Sequence, residues 1–130
     1  MPVSTTWHDQ AHTIVRVEFR DPWSMAELSE AIRVSRQLMG SVSYTVDAIW
    51  DGTGIKGAPS NLFSHFMLPN EDTKIPTNQG AVVVVVHGAF LQTFAGLAKR
   101  LIPQITKNMH ITHSLQAADE KITVLRNKLA

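Results

Sequence analysis

Cysteine is absent from the 130 residues. A disulfide framework, a thiol nucleophile and a thiolate-held zinc are therefore excluded, and the chain suits a reducing compartment. Long apolar runs are missing as well. The longest, Ala81 to Val86, falls far short of the roughly 20 residues that span a bilayer. Met1-Pro2-Val3-Ser4-Thr5 has neither the basic start nor the apolar stretch of an export signal. The expectation is a cytoplasmic protein with no membrane contact. No Arg- or Lys-rich run alternates with aromatics, which argues against nucleic acid as a partner. Nor is there a Gly-x-Ser-x-Gly elbow, a phosphate loop, a Gly-x-Gly-x-x-Gly fingerprint or a His-Glu-x-x-His helix. These are the patterns specific enough to name a chemistry, so no enzyme, catalytic residue or cofactor is expected.

The net charge of +1 is unevenly spread. Residues 1–73 hold five basic and nine acidic side chains, and residues 74–130 hold seven and two, for −4 and +5. Such a split would steer an anionic partner, or join two copies as a homodimer, if it survived on the folded surface. Interleaving of the two halves in space would erase it.

A chain of this length buries roughly two-thirds of its unfolded surface in one core, and one domain over 1–130 is expected. Val3 to His8 and Thr13 to Phe19 read as a hairpin about Asp9-Gln10-Ala11-His12, with Val15, Val17 and Phe19 on one face. Ser24 and Glu27 form a capping box, and Met25, Leu28, Ile32, Leu38 and Met39 predict a helix that stops at Gly40. Tyr44 to Trp50 reads as a strand closed by Asp51-Gly52-Thr53-Gly54, and a short helix from Asn61 to Met67 follows with Ser60 as its cap. Residues 68–80 are polar, aperiodic and contain Pro69 and Pro76, the pattern of a mobile or ligand-covering loop. The β-branched run Ala81 to His87 predicts a strand buried on both faces. A helix from Phe90 to Ile102, ended by Pro103, then a strand from Asn108 to Thr112 and a Ser114-capped helix complete the chain. The order β, β, α, β, α, β, α, β, α implies an α/β fold with a mixed, mostly parallel five-stranded sheet and about four helices.

That order, with Ile49-Trp50-Asp51 at a strand end, Ser60 at the following helix and His113-Ser114-Leu115-Gln116-Ala117-Ala118 opening the last one, resembles the STAS domain of SpoIIAA-like anti-sigma factor antagonists. The likeness runs over nearly the whole chain. It implies a STAS fold, a regulatory role with a kinase-like or anti-sigma-like protein partner, and phosphorylation at Ser60. Pro59 stands where the family's motif has aspartate, and Leu62 where it has glycine. The fold is also similar to that of a class of lipid-binding domains, which implies an apolar ligand instead.

Ser60 thus has two readings, a plain helix cap or a phosphate acceptor favoured by the helix dipole. Asp51 and Thr53 lie at the carboxyl end of a strand, where open α/β sheets bind ligands, although Asp-Gly and Thr-Gly are also ordinary turn chemistry. Asn61, Phe63, Phe66 and Met67 complete the candidate contact surface; the two phenylalanines and Met67 sit on a helix with little face to hide them, and core packing is their plain alternative. His110 and His113, three apart on a strand, point to opposite faces, so no metal site is expected. Two functions follow: a protein-interaction module with an exposed Ser60 and no deep cavity, or a small-molecule binder with a cavity lined by Phe63, Phe66 and Phe90.

Overall fold

The structure is a computed structural model and describes residues 2–129. Strands β1 (Val3–Trp7) and β2 (Ile14–Arg20) pair antiparallel. Their turn is closed by the Asp9 carboxylate, which accepts the amides of Thr13 at 2.8 Å and Ile14 at 3.0 Å. Strands β3 (Val46–Gly54), β4 (Gln79–Val85) and β5 (Met109–Thr112) add in parallel, in the order β1-β2-β3-β4-β5. The helices are α1 (Met25–Gly40), α2 (Leu62–His65), α3 (Gly88–Ala98), α4 (Pro103–Thr106) and α5 (Leu115–Leu129). The α/β class and the mixed, mostly parallel five-stranded sheet are as expected. The additional helix is α4: Pro103 does not merely end a helix but opens the next one, at a position where its missing amide leaves nothing unpaired.

Alternation along β4 sets the layers. Val84 and Val86 pack with Val17, Leu28, Ile32 and Phe94 on one face, beneath α1, α2 and α3, and Ile105 of α4 packs against the same cluster. Val83 and Val85 pack with Ile14, Ile49, Ala118 and Ile122 on the other, beneath α5. The first face therefore carries four short or long helices and the 68–80 connection, and the second carries one helix.

Several local expectations are corrected. The capping box at α1 is only half formed: the Ser24 hydroxyl accepts the Glu27 amide at 3.3 Å and donates to the Glu27 carboxylate at 2.9 Å. Asp51-Gly52-Thr53-Gly54 is no turn; it is the end of β3, paired as far as Gly54 with Arg20. Glycine suits that stretch because a Cβ at Gly52 would lie 2.9 Å from the Val85 carbonyl of the neighbouring strand. Ser60 does not cap α2, which begins at Leu62 after Asn61 and completes barely one turn. The 68–80 connection is held in place by a 3-10 turn over Glu71–Thr73, whose Asn70 side chain accepts the Asp72 amide at 2.8 Å. Arg36 of α1 donates to the carbonyls of Glu71 at 2.6 Å and Lys74 at 2.9 Å.

Helix α5 is fastened by Asp47, which is buried at the start of β3. One carboxylate oxygen accepts the Ala81 amide of β4 and the other accepts Nε of Arg126, each at 2.8 Å. Asp47→Ala removes both bonds and leaves two donors unmatched, so it should cost roughly 2–3 kcal/mol. Arg126→Met, which leaves the Ala81 bond intact, should cost less. Urea unfolding of the two variants checks the order.

Candidate functional site

Residues that alternate toward the first face enclose a cavity of about 110 Å³ between the sheet and the helices above it. Its floor is Val17, Ala48, Trp50, Val82 and Val84. Phe63 and Phe66 of the α2 region and Phe90 and Phe94 of α3 form its walls at the carboxyl end of the parallel strands. That end is tied by the Trp23 indole, which donates to the Gly57 carbonyl at 3.3 Å. The lining on and beyond β4 runs from Gln79 to Val86, about 23 Å at ~3.3 Å per residue. The space is thus a narrow slot, and its volume is below the roughly 150 Å³ of a cavity known to hold benzene.

At the other end the lining turns polar. Ser35, Arg36, Asp72, Lys74 and Gln79 sit where α1, the 3-10 turn and the start of β4 meet. Asp72 accepts the Ser29 hydroxyl and lies 2.8 Å from Nε2 of His65. Burial alone would raise its pKa, but these two bonds, with the His65 ring and the Arg36 guanidinium close by, outweigh it and leave the carboxyl below its usual value. Lys74 pairs with Glu71 at 2.8 Å on the exposed rim. Arg36 donates only through Nη2, and its Nε is buried without a hydrogen-bond partner.

The residues singled out in the sequence do not form one site. Phe63 and Phe66 line the cavity; Met67 is half-buried beside them, and Asn61 and Ser60 are exposed. Ser60 lies in a shallow depression between the 56–60 loop and the start of α3. Asp51 and Thr53 are on the opposite face of the sheet, because they alternate with Trp50 and Gly52, which line the cavity. The polar end, with Ser35, Arg36, Asp72 and Lys74, was not anticipated. A signal for it exists: the apolar stripe of α1 runs Leu28, Ile32, Met39, and Ser35 and Arg36 fill the gap where a further apolar residue belongs. Histidines converge nowhere. Nε2 of His87 contacts the Thr53 carbonyl at 2.7 Å, and burial together with Lys121 and Lys128 lowers the pKa of His110. Among the described residues, no group of three or more His, Asp or Glu could hold a metal ion, and no helix is long and apolar enough to cross a membrane.

No family model, no curated protein and no solved structure matches this chain.

Asp51 is 2% exposed and faces Arg16 of β2, and it also accepts the amide and hydroxyl of Thr53 at 3.1 and 2.7 Å. Burial would raise its pKa, but the Thr53 bonds and the Arg16 guanidinium more than offset this and lower it. A carboxyl with a lowered folded-state pKa stabilises the fold above the unfolded value of about 3.9, and that contribution is lost as pH falls through the folded value. Asp51→Asn should therefore cost roughly 1.5–3 kcal/mol at neutral pH, as for the loss of hydrogen bonds to a charged group, since Arg16 keeps Glu18 as a partner, and flatten the acid limb of stability below about pH 4. Urea midpoints measured from pH 7 down to pH 2 check both effects.

Proposed function

We propose that this chain is a non-catalytic binding domain for a small, mainly apolar molecule held between the sheet and the α1–α3 layer. The observation that carries the reading is the cavity itself. Protein interiors pack as densely as organic crystals, and a slot floored by Val17, Trp50 and Val84 and walled by four phenylalanines is a departure with a shape. Binding pockets combine such apolar walls with a few polar groups at one end, which is the arrangement of Ser35, Arg36, Asp72 and Lys74 here.

The interaction-module reading anticipates an exposed Ser60 and a core without a deep cavity. Ser60 is exposed, which supports a protein contact at the 56–60 loop as a second reading, regulatory in the manner of STAS domains. The cavity favours the first. At the level of class, a mixed five-stranded α/β sheet agrees with a STAS-like chain and carries that likeness no further.

The two readings separate in solution. Titration with 1-hexanol, followed by amide chemical shifts, should perturb residues lining the cavity and leave the 56–60 loop unchanged. Ser35→Leu places a larger apolar side chain at a buried lining position. If the space is a true cavity, the variant should gain roughly 1–2 kcal/mol from added apolar burial and lose the 1-hexanol response. A core already full would instead lose roughly 1–3 kcal/mol through overpacking. That result, or shifts confined to the 56–60 loop, would overturn the proposal.

A further inference from the structure

We propose that two copies of this chain join through the outer edge of β1, which extends the sheet across a two-fold axis. The cavity plays no part in this interface, and the two readings stand or fall separately.

The edge is open. β1 is the first strand of the sheet, and among the described residues β2 is its only strand neighbour. The Arg20 amide donates to the Pro2 carbonyl and the His8 amide to the Ile14 carbonyl, each at 2.7 Å. Bonding residues alternate along an antiparallel ladder. The even-numbered positions therefore bond inward to β2, and the amides and carbonyls of Val3, Thr5 and Trp7 point outward. Natural edges are blunted by lysine, proline or a bulge. Val3-Ser4-Thr5-Thr6-Trp7 has no charge and no proline, and its register with β2 is unbroken. The opposite edge is guarded: β5 has four residues against the five of β1, and Lys121 and Lys128 lie close enough to act on His110. Two β5 edges brought together would set those cations against each other.

The occupant follows from the residues of β1 and β2. Paired antiparallel about Thr5, the strand is complementary to itself: Thr5 meets Thr5 of the second copy, and Val3 meets Trp7 in both directions. Every outward amide and carbonyl then has a partner, and Ser4 meets Thr6. Within one chain Ser4 lies opposite Glu18 and Thr6 opposite Arg16. Each row across the joint thus runs from Glu18, through two short hydroxyl side chains, to Arg16 of the second copy. A shift of two residues instead aligns Glu18 with Glu18, or Arg16 with Arg16, and strands the outward groups at one end. At ~4.8 Å per strand the ends of a row are about 14 Å apart, so the charges choose the register, while the ladder and Trp7 supply the affinity. Trp7 is half-buried in one copy and gains Val3 of the second as a neighbour. A net charge of +1 adds little repulsion between copies.

The test begins with sedimentation of the unaltered chain from about 1 µM to about 1 mM, the range in which a small interface forms. A monomer–dimer equilibrium is expected. Thr5→Pro removes an outward amide and no inward one, so it should leave the chain folded and weaken the dimer roughly tenfold or more. Thr5→Ala keeps that amide, loses only the hydroxyl bond to the Ala31 carbonyl, and should keep the dimer. Cysteines read the register, since the natural chain has none. Facing residues that do not bond each other have Cα atoms about 4.5 Å apart, within disulfide reach. Ser4→Cys/Thr6→Cys should therefore oxidise to a covalent dimer, whereas Ser4→Cys alone should not, because the two Ser4 positions are offset by two residues along the strand. This pair decides the matter if Thr5→Pro folds poorly. A monomer at every concentration, a species larger than a dimer, a dimer that folded Thr5→Pro leaves intact, or equal cross-linking of the single and double cysteine variants overturns the proposal.

Discussion

A side chain on a strand goes to one face of the sheet or the other, and β3 and β4, which have neighbours on both sides and layers above and below, allow no third choice. Everything assigned to this chain follows from that period of two. Trp50 and Gly52 face the cavity, and Asp51 and Thr53 face away from it. Val82 and Val84 floor the slot, while Val83 and Val85 receive α5. One residue of slip of β3 against its neighbours would carry Asp51 from beside Arg16 to the slot floor and Trp50 away from it. The Asp47 bonds to Ala81 and Arg126 oppose such a slip. Gly80 does so too, since a Cβ there would come within 2.2 Å of the Asp47 carboxylate.

The two faces solve different problems. Under α5 the apolar contacts are few and closely fitted around Ala118 and Ile122, and polar fastening by Arg126 completes them. On the first face α1 and α3 are full-length helices, but the space between them is closed by the single turn of α2 and by the 68–80 connection. Pieces this short have little apolar surface of their own to fill the interior. Their attachment is correspondingly polar: the Asn70 cap, the Ser29 and His65 bonds to Asp72, and the Arg36 bonds to two carbonyls. A roof held by hydrogen bonds over an apolar floor leaves a gap where a roof held by packing would collapse into it. A cavity in this place is therefore the physical consequence of which elements cover it.

Much of the fold was legible in the residues. Periodicity placed five strands and the two long amphipathic helices, because Val15, Val17 and Phe19 at steps of two and Leu28, Ile32 and Met39 at helical steps record which side is buried. Local punctuation was less dependable. Asp51-Gly52-Thr53-Gly54 has turn chemistry, yet it stays in the sheet because the approach to Val85 rewards a missing Cβ. Ser60 has the chemistry of a cap, but the chain reaches helical geometry only at Leu62. The candidate site was legible in its aromatic half alone. Phe63, Phe66 and Phe90 stand out as large apolar residues near a long loop. The polar half draws on α1, the 3-10 turn and β4, which the fold brings together from positions some forty residues apart, as in Arg36 with Glu71 and Lys74. No short-range pattern encodes that meeting.

Arg36 joins both halves of this reasoning. Its Nη2 clasps the 68–80 roof at Glu71 and Lys74, and its side chain is part of the cavity lining beneath that roof. A guanidinium is planar and rigid, so these contacts share one plane and cannot be adjusted independently. A roof that moved would take the Nη2 bonds with it. The orientation of this one side chain and the position of the connection above the cavity are thereby tied together. This gives the aperiodic 68–80 segment a fixed place without a hydrophobic face of its own: its anchor is the Arg36 guanidinium on two of its carbonyls.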